Sequence, residues 1–301
     1  MTMLLPENSE HFKIIVLGKI KTYCDTNIWP FDYDKFTGWL KNFDCKIEEY
    51  LALQILDSLV VRSNEMAIAS YSRLFVGSLR QYVIEQTSID IGTIPSWKTS
   101  LKRGTLNKNI RFSPVKKKND EGESGSNIYR MISGLVETNR YSFAKSKNAP
   151  KLLILVDDVI GSGDQFTEFA VEFDLANKLD SYQIVYCPLI GFEKGISRIK
   201  DLYPKLNILP CEQISESNAL FYGSDDDLFK NDPINTIADA RSFLLEMKGK
   251  YGPKMAFWFG HNDVAVPLSF GWGCPNQTPS ILYMEHSTQK NGWSRLFNRR
   301  A

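Results

Sequence analysis

The chain has 301 residues, 43% of them hydrophobic and 24% charged, and carries a formal net charge of +1. That length buries a large core in one or two domains, and the near-neutral balance supplies no field that would draw it onto nucleic acid or anionic lipid. No apolar run approaches the roughly 18 residues of a membrane span, and MTMLLPENSEHF lacks the basic start and apolar core of a signal peptide. Its five cysteines (Cys24, Cys45, Cys187, Cys211, Cys274) are odd in number, far apart and without metal-ligand spacing. They read as reduced thiols, which places the expected protein in the cytoplasm, away from membranes.

In chain order, WPFDYDKFTGWL is aromatic and turn-containing and reads as an irregular cap. Ile47, Leu51, Ile55 and Leu59 recur every four residues, one face of a helix. A second stripe between Met66 and Val83 carries Tyr71, Leu74, Phe75, Leu79, Tyr82 and Val83. Residues 1–100 therefore read as a helical N-terminal region, its aromatics serving as core. Past Pro95 the pattern changes. IRFSPV reads as a strand, KKKNDEGESGS as a polar loop and NIYRMISGLVE as a helix. KLLILVDDVI, apolar on both faces, reads as a central parallel strand. DQFTEFAVEFDLANKL and GISRIKDLY read as helices around the strand YQIVYCPLIG, with NILPC a strand. INTIADARSFLLEMKGK reads as a helix, and MAFWFG and VPLSFGWG as late strands. Alternating strands and helices predict an α/β domain over 101–301, with a parallel sheet covered on both faces.

The chemistry concentrates in KLLILVDDVIGSGDQFTEF. An apolar strand running into Asp157 and Asp158 sets two carboxylates at the strand's carboxyl end, where open α/β sheets bind ligands in the crevice of a strand-order switch. Either the acids face water at the tip, or they hold something cationic or rich in hydroxyls, because an unpaired buried charge is costly. The following turn, Ile160 to Gln165, leads into a helix N-terminus, whose free amides and dipole suit an anion. Ser162 adds a hydroxyl. A diol-binding acid pair followed by a phosphate-binding loop describes a receptor for a sugar 5-phosphate.

LLILVDDVIGSG resembles the phosphoribosyl-diphosphate signature of type I phosphoribosyltransferases: aliphatics, two acids, two aliphatics, then a small-residue loop. RFSPV, ESGSNIYR, FGWGCPNQTPSILY and GWSRLFNR are similar to phosphoribosyltransferase-like proteins of bacterial anti-phage conflict systems, including those encoded beside retrons. The resemblance implies a Rossmann-like parallel sheet with a helical N-terminal extension and a C-terminal elaboration. It implies that Asp157 and Asp158 contact the ribose hydroxyls, and an Mg²⁺ ion only indirectly, through those hydroxyls or water. Ser162, Gly163, Asp164 and Gln165 would wrap the 5-phosphate. Gly161 and Gln165 depart from the pattern, which often has Thr or Ser at the first position and Thr at the second. The pyrophosphate loop falls by position on Lys116 to Ser126, offering Lys116, Lys117, Lys118, Ser124 and Ser126. Between Lys102 and Lys118 stand seven basic residues and no acid, suited either to a polyanion or to a solvated surface.

The implied function is an effector that binds phosphoribosyl diphosphate or a related nucleotide and transfers or cleaves at ribose C1 in anti-phage defence. A retron reverse transcriptase with its RNA/DNA, or another defence protein, is the implied partner. The rival reading is a non-catalytic regulator that senses a nucleotide or binds nucleic acid through the same pocket. A P-loop ATPase is poorly supported because GxxxxGK[ST] is missing. His261, in WFGHND, and the acids Asp225 to Asp227 read as structural loop features.

Overall fold

Leu152–Ile160 forms strand β3, nine consecutive buried residues at the middle of a parallel sheet, in a computed structural model that describes residues 3–116, 124–146, 148–222, 232, 234–285 and 292–299. Its neighbours are β2 (Ile110–Pro114) and β4 (Gln183–Phe192), both parallel to it. The far edge of β4 is shared end to end by two short strands, β5 (Asn207–Ile208) and β6 (Glu212–Ile214). Helices α7 (Ser124–Met131) and α8 (Thr138–Tyr141) connect β2 to β3. Helices α9 (Asp164–Glu172) and α10 (Leu175–Leu179) connect β3 to β4, and α11 (Glu193–Leu202) follows β4. This is the expected Rossmann-like α/β architecture, with the apolar strands buried on both faces. The order β2-β3-β4-β5 follows the chain, so the described strands contain no reversal, and a switch-point crevice is not what positions a site here.

The chain divides into two compact units. One is Asn64–Ser215, which holds this sheet and the helices α4 (Asn64–Val76), α5 (Ser78–Gln86) and α6 (Ile94–Arg103). The predicted second stripe is thus two helices, interrupted at Gly77. The other unit joins the residues up to Ser63 to those from Glu216 onward. It contains α1 (Ser9–Asp25), α2 (Tyr33–Leu40), α3 (Lys46–Asp57), strand β1 (Val60–Arg62), α12 (Ile237–Tyr251) and strand β7 (Leu268–Phe270), with β1 and β7 paired in parallel. The sequence boundary at residue 100 falls inside α6, because helical periodicity marks a buried face without naming what buries it.

Three local expectations are corrected. The expected irregular cap contains α2, whose Phe36 and Trp39 are fully buried. MAFWFG is a run of turns, with Trp258 buried and its indole N–H donating to the Leu244 carbonyl at 2.7 Å. α3 buries residues on more than one face, from Tyr50 through Leu56, so its four-residue stripe understates its core role. All five cysteines are free thiols.

Candidate functional site

β3 carries its two acids into the sheet and not to its rim. Asp157 lies opposite Pro188, and the ladder continues through Val159 opposite Ile190 and Ile160 opposite Gly191. Asp157 is 2% exposed and Asp158 fully buried. Of the two alternatives, acids facing water at a strand tip do not occur: β4 runs on to Phe192 and supplies ladder partners, so β3 ends only at Ile160.

Buried carboxylates require donors. One Asp157 oxygen accepts the Asp158 backbone N–H and the other the Tyr186 hydroxyl, both at 2.9 Å. Tyr186 is held by stacking on Phe166 of α9, with ring centroids 4.3 Å apart and planes 15° apart. The Tyr71 hydroxyl, from α4, lies 2.7 Å from the Asp157 carbonyl and 2.8 Å from that of Cys187, tying β3 to β4. Burial pushes both phenols well above their ordinary pKa, with the nearby acids adding to the shift, so both remain protonated donors. The Asp157 carboxylate, bonded to Tyr186, therefore sits on the α9 side.

The turn after β3 is shaped by two glycines. Gly163 has φ +88°, the left-handed region that glycine enters freely, immediately before α9 begins at Asp164. A Cβ on Gly195 of α11 would stand 2.0 Å from the Gly161 carbonyl oxygen, so only glycine lets α11 lie against the turn. The Ser162 hydroxyl donates to the Asp164 carboxylate at 2.7 Å. Arg198 of α11 pairs with the same carboxylate and donates to the Ser162 carbonyl at 3.3 Å. Thr167 turns both its N–H and its hydroxyl to the Gly163 carbonyl, each at 2.9 Å. Gln165, the next helical residue, is half-buried.

The expected pyrophosphate loop begins beside this turn. The Val115 N–H donates to the Val156 carbonyl at 2.9 Å, and Lys116 leaves the end of β2 exposed. Lys117 and Lys118 lie outside the described residues. Ser124 opens α7, and its side chain also lies outside the description. Gly125 packs its backbone on Val115, where a Cβ would be 2.1 Å from the carbonyl oxygen, and Ser126 follows half-buried. Both ends of the loop are therefore anchored at the carboxyl end of β2, next to β3.

Other candidates fall away. Burial drives the Cys187 and Cys211 thiols well above the usual range, which makes them poor nucleophiles. His261 belongs to the other compact unit, where its N–H donates to the Asn276 carbonyl at 2.7 Å and its ring lies 5.4 Å from Phe257. His286 and Asp225 to Asp227 lie outside the described residues. Among the described residues no helix is long and apolar enough to cross a membrane.

A family model described as PRTase-CE, a phosphoribosyltransferase-like family, matches residues 36–299. The chain belongs to the PRTase-CE family. That match begins within α2 and includes residues of both compact units. No curated protein matches the chain. Among solved structures it is similar to the AQ2163 protein from Aquifex aeolicus, at 11% identity over 71% of this chain and 88% of that one, with a TM-score of 0.28.

Three residues around the acids and the turn were not site candidates in the sequence: Tyr71, read there only as core, Tyr186 and Arg198. Tyr186 had a usable signal, since a tyrosine inside the apolar run IVYCPLIG needs an acceptor for its hydroxyl. Arg198 stands three residues after Gly195, on the same helix face.

Proposed function

We propose that this protein binds a phosphorylated ribose, as phosphoribosyl diphosphate or a related nucleotide, where β2 and β3 end, and transfers or cleaves at ribose C1. One observation carries the reading: the glycine turn before α9 and the basic segment from Lys116 leave adjacent parallel strands at the same sheet edge, in a chain of a phosphoribosyltransferase-like family. The turn suits the 5-phosphate through helix N-terminal amides. Lys116, with Lys117 and Lys118, suits a leaving diphosphate.

The chemistry is a displacement at C1. The bond from C1 to the diphosphate oxygen breaks, and the leaving group keeps the electron pair. An acceptor nitrogen or a water oxygen bonds to C1 and gives up its proton. Positioning and neutralisation of the departing charge supply most of the catalysis in such a step. The family resemblance assigns the acid pair Asp157 and Asp158 to the ribose hydroxyls, and Asp157 already accepts bonds at both of its oxygens within the fold. The buried, hydrogen-bonded Asp157 does not fit direct Mg²⁺ ligation, and no cluster suited to a metal occurs among the described residues. Mg²⁺ therefore belongs to this proposal as an ion brought by the ligand's diphosphate. The anti-phage setting, with a retron reverse transcriptase and its RNA/DNA or another defence protein as partner, is supported by the resemblance of RFSPV, ESGSNIYR and the C-terminal motifs.

The second reading, a non-catalytic nucleotide sensor, is favoured by the near-complete burial of both acids. Phosphorus NMR of phosphoribosyl diphosphate with Mg²⁺ and purified protein separates the two. Release of diphosphate by wild type, reduced at least tenfold in Asp158→Asn, is the expected outcome. Binding without release hands the site to the sensor reading.

A further inference from the structure

Resting on the phosphate-turn reading above, we propose that Asp164 is a built-in competitor for the ligand's 5-phosphate, and that Arg198 is a further phosphate-binding residue held ready by Asp164. The only hydroxyl within Gly161-Ser162-Gly163 is that of Ser162, and it is donated to the Asp164 carboxylate at 2.7 Å. Arg198 is paired to the same carboxylate while donating to the Ser162 carbonyl at 3.3 Å. A carboxylate at the first position of α9 thus takes up both the hydroxyl and the guanidinium that an incoming phosphate would use.

Arg198 reaches the turn for a structural reason. Gly195 allows α11 to rest on the Gly161 carbonyl, and Ile199 and the Gly195 carbonyl pack against Gly163. One helical turn past Gly195, the guanidinium is carried over Ser162. Its planar fork matches phosphate as well as carboxylate. The Asp164 and Arg198 side chains are 43% and 48% exposed, so their ion pair is weak and exchangeable. A phosphate entering the turn meets the like charge of Asp164, which must rotate outward. Ser162 and Arg198 then pass from the carboxylate to the ligand. Affinity is set by this exchange, and the turn discriminates against anions too weak to displace Asp164.

The test is calorimetric titration with ribose 5-phosphate of wild type, Asp164→Asn, and the double variant Asp164→Asn/Arg198→Gln. Asp164→Asn binds about tenfold more tightly, the equivalent of one charge-assisted hydrogen bond. The double variant loses that gain, because Arg198 contacts the phosphate directly. If wild type binds and Asp164→Asn binds no better, the competition is refuted while the site stands. If the double variant matches Asp164→Asn, Arg198 is no phosphate ligand. If no form binds at millimolar concentration while all keep the wild-type melting temperature, the phosphoribosyl reading itself is overturned, and this inference with it.

Discussion

Glu48 on α3 and Asp157 on β3 are both buried carboxylates, one in each compact unit, and they are held differently. Glu48 accepts the Lys250 ammonium at 2.7 Å, the Tyr251 hydroxyl at 2.7 Å and the Asp44 backbone N–H at 2.9 Å. Burial raises its pKa, but these donors together outweigh burial and hold the carboxyl below its ordinary value. Lys250 also pairs with Asp44 at 2.9 Å, which closes a brace between α3 and α12. Asp157 is held by a backbone amide and a phenol, in a strand that runs directly into the glycine turn before α9. Burial of an acid is therefore no sign of function by itself. A countercharge that crosses between helices marks a brace, whereas an acid on the strand feeding the glycine turn borders the site proposed here.

The sharpest way to break this contrast is Glu48→Ala. It leaves Tyr251 and Lys250 without their acceptor and is expected to cost about 3 kcal/mol in denaturant unfolding, with ribose 5-phosphate affinity unchanged. A change in affinity would mean that Glu48 is more than a brace. Asp157→Asn keeps the shape but offers an amide where two donors converge, and is expected to cost about 1 to 2 kcal/mol. At a solvent-facing strand tip the same change would be neutral or stabilising, so a melt separates the two placements.

The pH dependence follows from Glu48. Its folded pKa lies below its ordinary value of 4.5, so its stabilisation is complete above that value and is lost as pH falls through the lower folded one. Urea midpoints measured below about pH 4.5 should decline for wild type and more shallowly for Glu48→Gln. The smallest effect is that of Arg198→Gln, an exposed pair, whose stability should stay within about 0.5 kcal/mol of wild type.

The α/β class was legible because β3, β4 and their flanking helices combine long apolar runs with strong helical spacing. So was the turn: Gly163 takes the left-handed conformation that its type permits. Where the acids sit was not legible. Whether Asp157 lies at a tip or inside a ladder depends on how far β4 extends, and that is a property of pairing and not of the local run. β1, three residues paired with β7 more than two hundred positions later, carries too short a pattern to register. MAFWFG has a strand's composition, but its aromatics are buried through turns. The Asp164–Arg198 pair joins two helices across β4, and nothing in either segment alone announces it.

The central claim is that the carboxyl edge of β2 and β3 receives a ribose phosphate. Its most direct measurement is the melting temperature of the full chain with millimolar phosphoribosyl diphosphate and Mg²⁺, for wild type and Asp158→Asn. A ligand bound only to the native state stabilises by mass action, about 2.7 kcal/mol at a hundredfold excess over the dissociation constant. The account predicts a clear upward shift for wild type and a smaller one for Asp158→Asn, each measured against the same protein's melt without ligand. No shift in wild type, or equal shifts in both proteins, would contradict it.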